Sequence, residues 1–155
     1  MNYVFAIAIG IGIVAGLRSL TAPAVVAWAA HLGWLNLNSS PLAFMASTAA
    51  VAIFSLLAIA ELIADKLPNM SNRTALAPLL ARILTGALCG AVLCTAAGKS
   101  LLAGAILGAT GGVIGAFLGY QTRKRVVNTL QIKDFFVAIC EDLVAIGLAF
   151  LLVSY

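Results

Sequence analysis

Leu101 to Arg125 reads LLAGAILGATGGVIGAFLGYQTRKR, and this stretch decides the fold. No charge interrupts it from Leu101 to Thr122, which is the length of about 20 residues that a helix needs to cross a hydrocarbon core. Gly104, Gly108 and Gly112 recur every fourth position, and Gly111, Gly115 and Gly119 repeat the spacing. Residues so spaced share one helix face, and without side chains that face lets a neighbouring backbone approach closely. The helix therefore belongs at a bundle centre or at a subunit interface. TRKR then supplies a basic stop at the membrane boundary.

The remainder of the chain has the same character. Of 155 residues, 63% are hydrophobic and 9% charged, and a soluble domain of that size keeps a more polar exterior. Apolar stretches at about 3–20, 42–64, 76–98, 101–121 and 135–154 each approach the length of a membrane span. The predicted fold is all-α: a polytopic transmembrane bundle of about five spans in a single integral membrane domain, 1–155. The first stretch has no basic leader segment and no clear cleavage site, so it reads as a mature span. Between it and the next lies TAPAVVAWAAHLGWL, Thr21 to Leu35, too short to cross comfortably. Trp28 and Trp34 favour the headgroup boundary, which makes this segment an interfacial or a re-entrant helix. Cys89, Cys94 and Cys140 all fall in predicted spans and read as packing residues.

The net charge of +4 does not point to nucleic acid, because the nine basic residues are scattered around spans. With five spans, Lys66, Arg73, Arg82, Arg123, Lys124, Arg125 and Lys133 fall on one side, and Arg18 and Lys99 on the other. The positive-inside rule then predicts a cytoplasmic N-terminus and an external C-terminus.

The acidic residues are few and concentrated. Glu61, Asp65, Asp134, Glu141 and Asp142 are all of them, and they lie in or beside the second and fifth predicted spans. Asp65, Lys66 and Asp134 can reach the interface and read as structural. Glu61, Glu141 and Asp142 lie deeper, where a carboxylate costs several kcal/mol unless protonated, paired or wetted. Adjacent residues on a helix point about 100° apart, so Glu141 and Asp142 call for different partners. Arg82 is the expected counter-ion for one of them. Arg18, set in GLRSLTAP beside Thr21, has two readings: it snorkels to the headgroups, or it presents a guanidinium to an anionic group at a helix break. His31, beside the tryptophans, reads as an interfacial residue.

The motifs GLRSLTAPAVVAWA, ELIADKLPN followed by RT, and CEDLVA occur in an order that resembles a bacterial family of small integral membrane proteins classified as a domain of unknown function. The resemblance covers essentially the whole chain. It implies a bacterial inner-membrane location and brings no substrate or reaction.

Three functions fit the residues. The first is a homo-oligomeric transporter or channel for a small ion or solute, with Glu61, Glu141, Asp142, Arg82 and Arg18 along the pathway. The second is a lipid or isoprenoid-phosphate binding or translocating protein, with Arg18, Thr21, Trp28 and Trp34 at the headgroup. The third is a membrane scaffold subunit whose charges only fix packing. No HExxH, GxSxG or paired histidines occur, so metal hydrolysis and triad chemistry have no visible equipment. The expectation is a non-enzyme without cofactor or metal, whose partners are the bilayer, its own copies and a small ligand.

Overall fold

The computed structural model describes residues 3–64, 76–130 and 134–154. Among these residues the protein is entirely helical, with α1 (Tyr3–Leu17), α2 (Thr21–His31), a short 3-10 turn (Ala43–Ala46), α3 (Thr48–Ala64), α4 (Leu76–Ala96), α5 (Leu101–Leu130) and α6 (Asp134–Val153). The all-helical class expected from hydropathy is the class observed. Among the described residues, three helices are long and apolar enough to cross a membrane: Leu76–Ala96, Leu101–Val126 and Phe136–Val153.

The centre is a triad of α1, α4 and α5, and its cause is glycine. Gly108 sits where α5 meets both neighbours: a Cβ added there would strike the Gly86 carbonyl of α4, and one added at Gly12 of α1 would strike the Gly108 carbonyl. Gly104 lies against Gly90, Gly112 against Arg82 and Gly16, and Gly111 and Gly115 against the backbone of α1. Gly119 is buried further along α5. The small-residue face of α5 is thus filled within one chain, at the bundle centre.

These contacts also set direction. Gly12 pairs with Gly108 and Gly16 with Gly112, so α1 and α5 are parallel, whereas Gly90 pairs with Gly104 and Gly86 with Gly108, so α4 is antiparallel. Leu152 of α6 faces Gly10 and Asp142 faces Arg18, so α6 runs antiparallel to α1.

The segment after α1 departs from the five-span expectation. α1 has 15 residues, about 22 Å of helix, less than a hydrocarbon core of about 30 Å. The chain breaks at Arg18 to Leu20 and α2 runs back antiparallel to α1. Val25, Val26, Ala29 and Ala30 of α2 join Ile11, Val14, Cys89, Val92, Ala145 and Ala149 in the core. The segment expected to be interfacial or re-entrant is thus a helix packed into the core against α1, α4 and α6. Alanine and valine make α2 narrow, and all but Trp28 and His31 of its residues are buried, which suits a helix packed among neighbours.

α3 lies on the outside of α2. Ser47 is extended and its hydroxyl accepts the N–H of Ala50 at 3.1 Å, so α3 starts at Thr48, and the expected stretch from 42 is divided between the 3-10 turn and this helix. Ile53, Leu56, Ile59 and Ile63 face outward. α5 continues to Leu130, nine residues past its expected end at 121.

A second correction follows from the hairpin. With α1 and α2 entering and leaving at one end, the starts of α1 and the finish of α6 come together: Tyr3, Val4 and Ile7 line the same cleft as Leu152, Val153 and Ser154. The two ends of the chain lie on one side of the bundle, not on opposite sides. The reason is parity, because the hairpin arm α2 adds a sixth pass to the expected five.

Candidate functional site

At the tip of the α1–α2 hairpin, deep in the bundle, Arg18, Asp142 and Glu61 come together. Arg18 is the first residue after α1, and its N–H still donates to the Val14 carbonyl at 2.8 Å. Its side chain is 1% exposed and forms an ion pair with Asp142 of α6, itself 7% exposed. Arg82 of α4, also buried, has its backbone level with Gly112 of α5, and Gly16 of α1 meets the same glycine. Asp142 stands eight residues into α6, about 12 Å along the axis.

A break in a helix exposes N–H groups that lipid cannot satisfy. Here Glu61 of α3 satisfies them. Its Oε1 accepts the Ser19 N–H at 2.9 Å and the Ser19 hydroxyl at 2.6 Å, and its Oε2 accepts the Leu20 N–H at 2.9 Å. A carboxylate at the N-terminus of α2 also meets the positive end of that helix dipole. Pro23 falls in the first turn, where the N–H it lacks would have had no helical acceptor. Thr21 opens α2 with its hydroxyl buried and without a hydrogen-bond partner among the described residues.

Glu141, next to Asp142, turns elsewhere. Its Oε2 is 3.9 Å from Nη1 of Arg123 on α5. The adjacent acids therefore have the different partners that a 100° rotation requires, Arg18 for one and Arg123 for the other. Arg82 is the counter-ion expected from the sequence for one of them, and Arg123, expected there only as a topological charge, is the cation near Glu141. The sequence also places Arg18 towards the outside and the acids towards the inside. That separation is corrected, since α1 ends at the depth of Asp142 and Arg18 meets it.

Arg18 and the tryptophans are not brought together. Trp28 stands seven residues along α2 from Thr21, about 10 Å, and Trp34 lies beyond its end. Trp28 and Trp34 are exposed towards the end where the chain termini lie; the Trp28 indole donates to the Ser55 hydroxyl at 3.0 Å, and His31 Nδ1 is 2.8 Å from the Ala46 carbonyl. With Ser19 on Glu61, these pairs run α2 antiparallel to α3. Asp65 and Lys66 lie outside the described residues, as does the side chain of Asp134. Ser19 was missed as a contact, although GLRSLT carries its hydroxyl beside a helix break. No group of three or more His, Cys, Asp or Glu poised to hold a metal occurs among the described residues.

This architecture defines a small all-helical bundle with several helices suited to a bilayer, organised around a helical hairpin with a charged tip. The chain belongs to the family described as Domain of unknown function (DUF4126), whose profile matches residues 5–155. No curated protein and no solved structure matches it.

Proposed function

We propose that the protein is a transporter or channel for a small ion or solute, and that the hairpin tip is its gate. The observation that carries this reading is the buried ion pair of Arg18 and Asp142 at a break in helical backbone. Such a pair is a poor stabilising device, because well-packed apolar residues generally do as well or better, and its best-attested use is as a register or switch element. Broken helices at membrane depth are where transporters hold their ligands. Protonation of Asp142 cancels its charge, releases the Arg18 guanidinium and loosens the tip from α6. The buried Thr21 hydroxyl at the start of α2 offers a polar group for the passing ion or solute. Glu61 stays bonded to the backbone and holds the break in shape, so it positions the gate and carries nothing.

The same reading assigns no catalytic step and no cofactor. It places the protein in the bacterial inner membrane as a homo-oligomer, since one short bundle encloses little pathway and large apolar side chains cover its outside. The basic end, with Arg123, Lys124 and Arg125, is assigned to the cytoplasm. Both chain ends then lie outside, which replaces the cytoplasmic N-terminus expected from five spans.

The test is proton flux into liposomes carrying the purified protein and an internal pH-sensitive dye, driven by a potassium diffusion potential. Wild type acidifies the lumen faster than empty liposomes; Asp142→Asn, which loosens the tip but can neither take up nor release the proton, does not, while keeping its helicity. Flux by Asp142→Asn equal to wild type removes the gate assignment.

A further inference from the structure

We propose that a cleft between α1, α5 and α6 holds one acyl chain of an anionic membrane lipid, with its phosphate on Arg123. The site lies apart from the hairpin tip, and its occupancy is independent of whether Arg18 and Asp142 gate a pathway.

Although α5 and α6 are consecutive in the chain, they scarcely touch. α5 is held by α1 and α4, while α6 packs on α1 and α2. Between them opens a cleft of about 550 Å³ walled by Ile13 and Leu17 of α1, Leu118 of α5 and Val137 and Val144 of α6. That volume is within the range of about 300–1,000 Å³ typical of small-molecule sites. Leu118 and Val144 are exposed as well as lining it, so it opens sideways, to lipid.

Its polar equipment is confined to one end. Arg123 and Glu141 sit there, with Nη1 of Arg123 3.9 Å from Oε2 of Glu141. A phosphate oxygen competes with Glu141 for this guanidinium, whose planar fork suits phosphate. Lys124 and Arg125 follow on the exposed surface. Ile13 packs against Gly115, eight residues before Arg123, so the apolar wall runs about 12 Å below the cation. One leaflet of a hydrocarbon core is about 15 Å deep. Headgroup charge, chain depth and lateral opening therefore fit a lipid in the leaflet at the basic end.

A second copy of the chain fits less well. Rotation about the membrane normal keeps both basic ends in the same leaflet, so seating a copy in this cleft brings Arg123 to Arg125 of one subunit towards the same cations of the other. Like charges resist that contact, whereas an anionic headgroup neutralises them.

The experiment is native mass spectrometry of the full chain from mild detergent, titrated with phosphatidylglycerol or phosphatidylcholine. Wild type retains one phosphatidylglycerol and prefers it at least tenfold. Arg123→Ala brings the two lipids to parity, Arg123→Lys keeps a preference, and Val144→Trp, which fills the cleft, loses both. Glu141→Gln raises affinity for phosphatidylglycerol because it removes the competing anion, an effect that a merely structural pair would not produce. Equal retention of the two lipids by wild type, or unchanged preference in Arg123→Ala, overturns the proposal. So does a dimer that binds no lipid and dissociates in Val144→Trp.

Discussion

Glu61 of α3 accepts hydrogen bonds from the backbone of Ser19 and from its hydroxyl, across 42 residues of sequence, and so closes the break at which the chain turns back into the bundle. One carboxylate replaces the water that would solvate this turn in a soluble protein. Loss of a helix cap costs about 0.5–2 kcal/mol, and stranding a buried donor about 1–3 kcal/mol. Glu61→Ala is therefore expected to destabilise by about 2–4 kcal/mol. Glu61→Gln, which keeps one acceptor oxygen, loses less. Denaturation of helicity in mixed micelles measures the order, and equal stability of Glu61→Ala and wild type refutes the capping role.

The Arg18–Asp142 pair predicts a non-additive cycle. Removing one member leaves an uncompensated buried charge, so Arg18→Met and Asp142→Leu each cost about 3–5 kcal/mol. Replacing both leaves neither charge, and the double variant should recover most of that stability. Flux distinguishes a gate from a packing device: the stable double variant transports nothing if the pair gates, and retains full biological activity if the chain is a scaffold.

The glycines of α5 and α6 predict opposite responses to the same change. Gly108→Ala drives a methyl group into the Gly86 carbonyl, and overpacking of this kind costs about 1–3 kcal/mol. Gly147, in the exposed face of α6, has nothing within 4 Å of a new Cβ. Gly147→Ala should therefore stabilise, by up to about 1 kcal/mol through helix propensity. Thermal unfolding of the two variants side by side tests the triad, and a neutral Gly108→Ala would show that α4 and α5 do not meet there.

Much of this was legible in the sequence, for reasons that differ between residues. The face of Gly104, Gly108 and Gly112 is periodic, and periodicity survives without knowledge of the partner. The acids of α3 and α6 stood out because charge in apolar context is costly wherever it lies. Their partners were not legible. Arg18 meets Asp142 only because α1 stops short and α2 returns, and that turn depends on Glu61, far away in the chain. Hydropathy records how apolar a segment is, and both a span and a buried hairpin arm are apolar. A single misjudged turn then displaced Arg18 to the wrong end and put the chain ends on opposite sides.

That turn is open to a direct test. If α1 and α2 form a re-entrant hairpin, the start of α1 and the end of α6 face one compartment and the basic end of α5 the other. Tyr3, Ser154 and Lys124 are all exposed, so each can carry a reporter thiol. Cys89 and Cys94 are buried in α4 and Cys140 lies on the lipid-facing cleft, and alanine at all three gives a suitable background. In intact spheroplasts an impermeant maleimide is expected to label Tyr3→Cys and Ser154→Cys alike, and Lys124→Cys only after lysis. Protection of Tyr3→Cys together with labelling of Ser154→Cys would restore five full spans, and would then require Arg18 to lie across the membrane from Asp142.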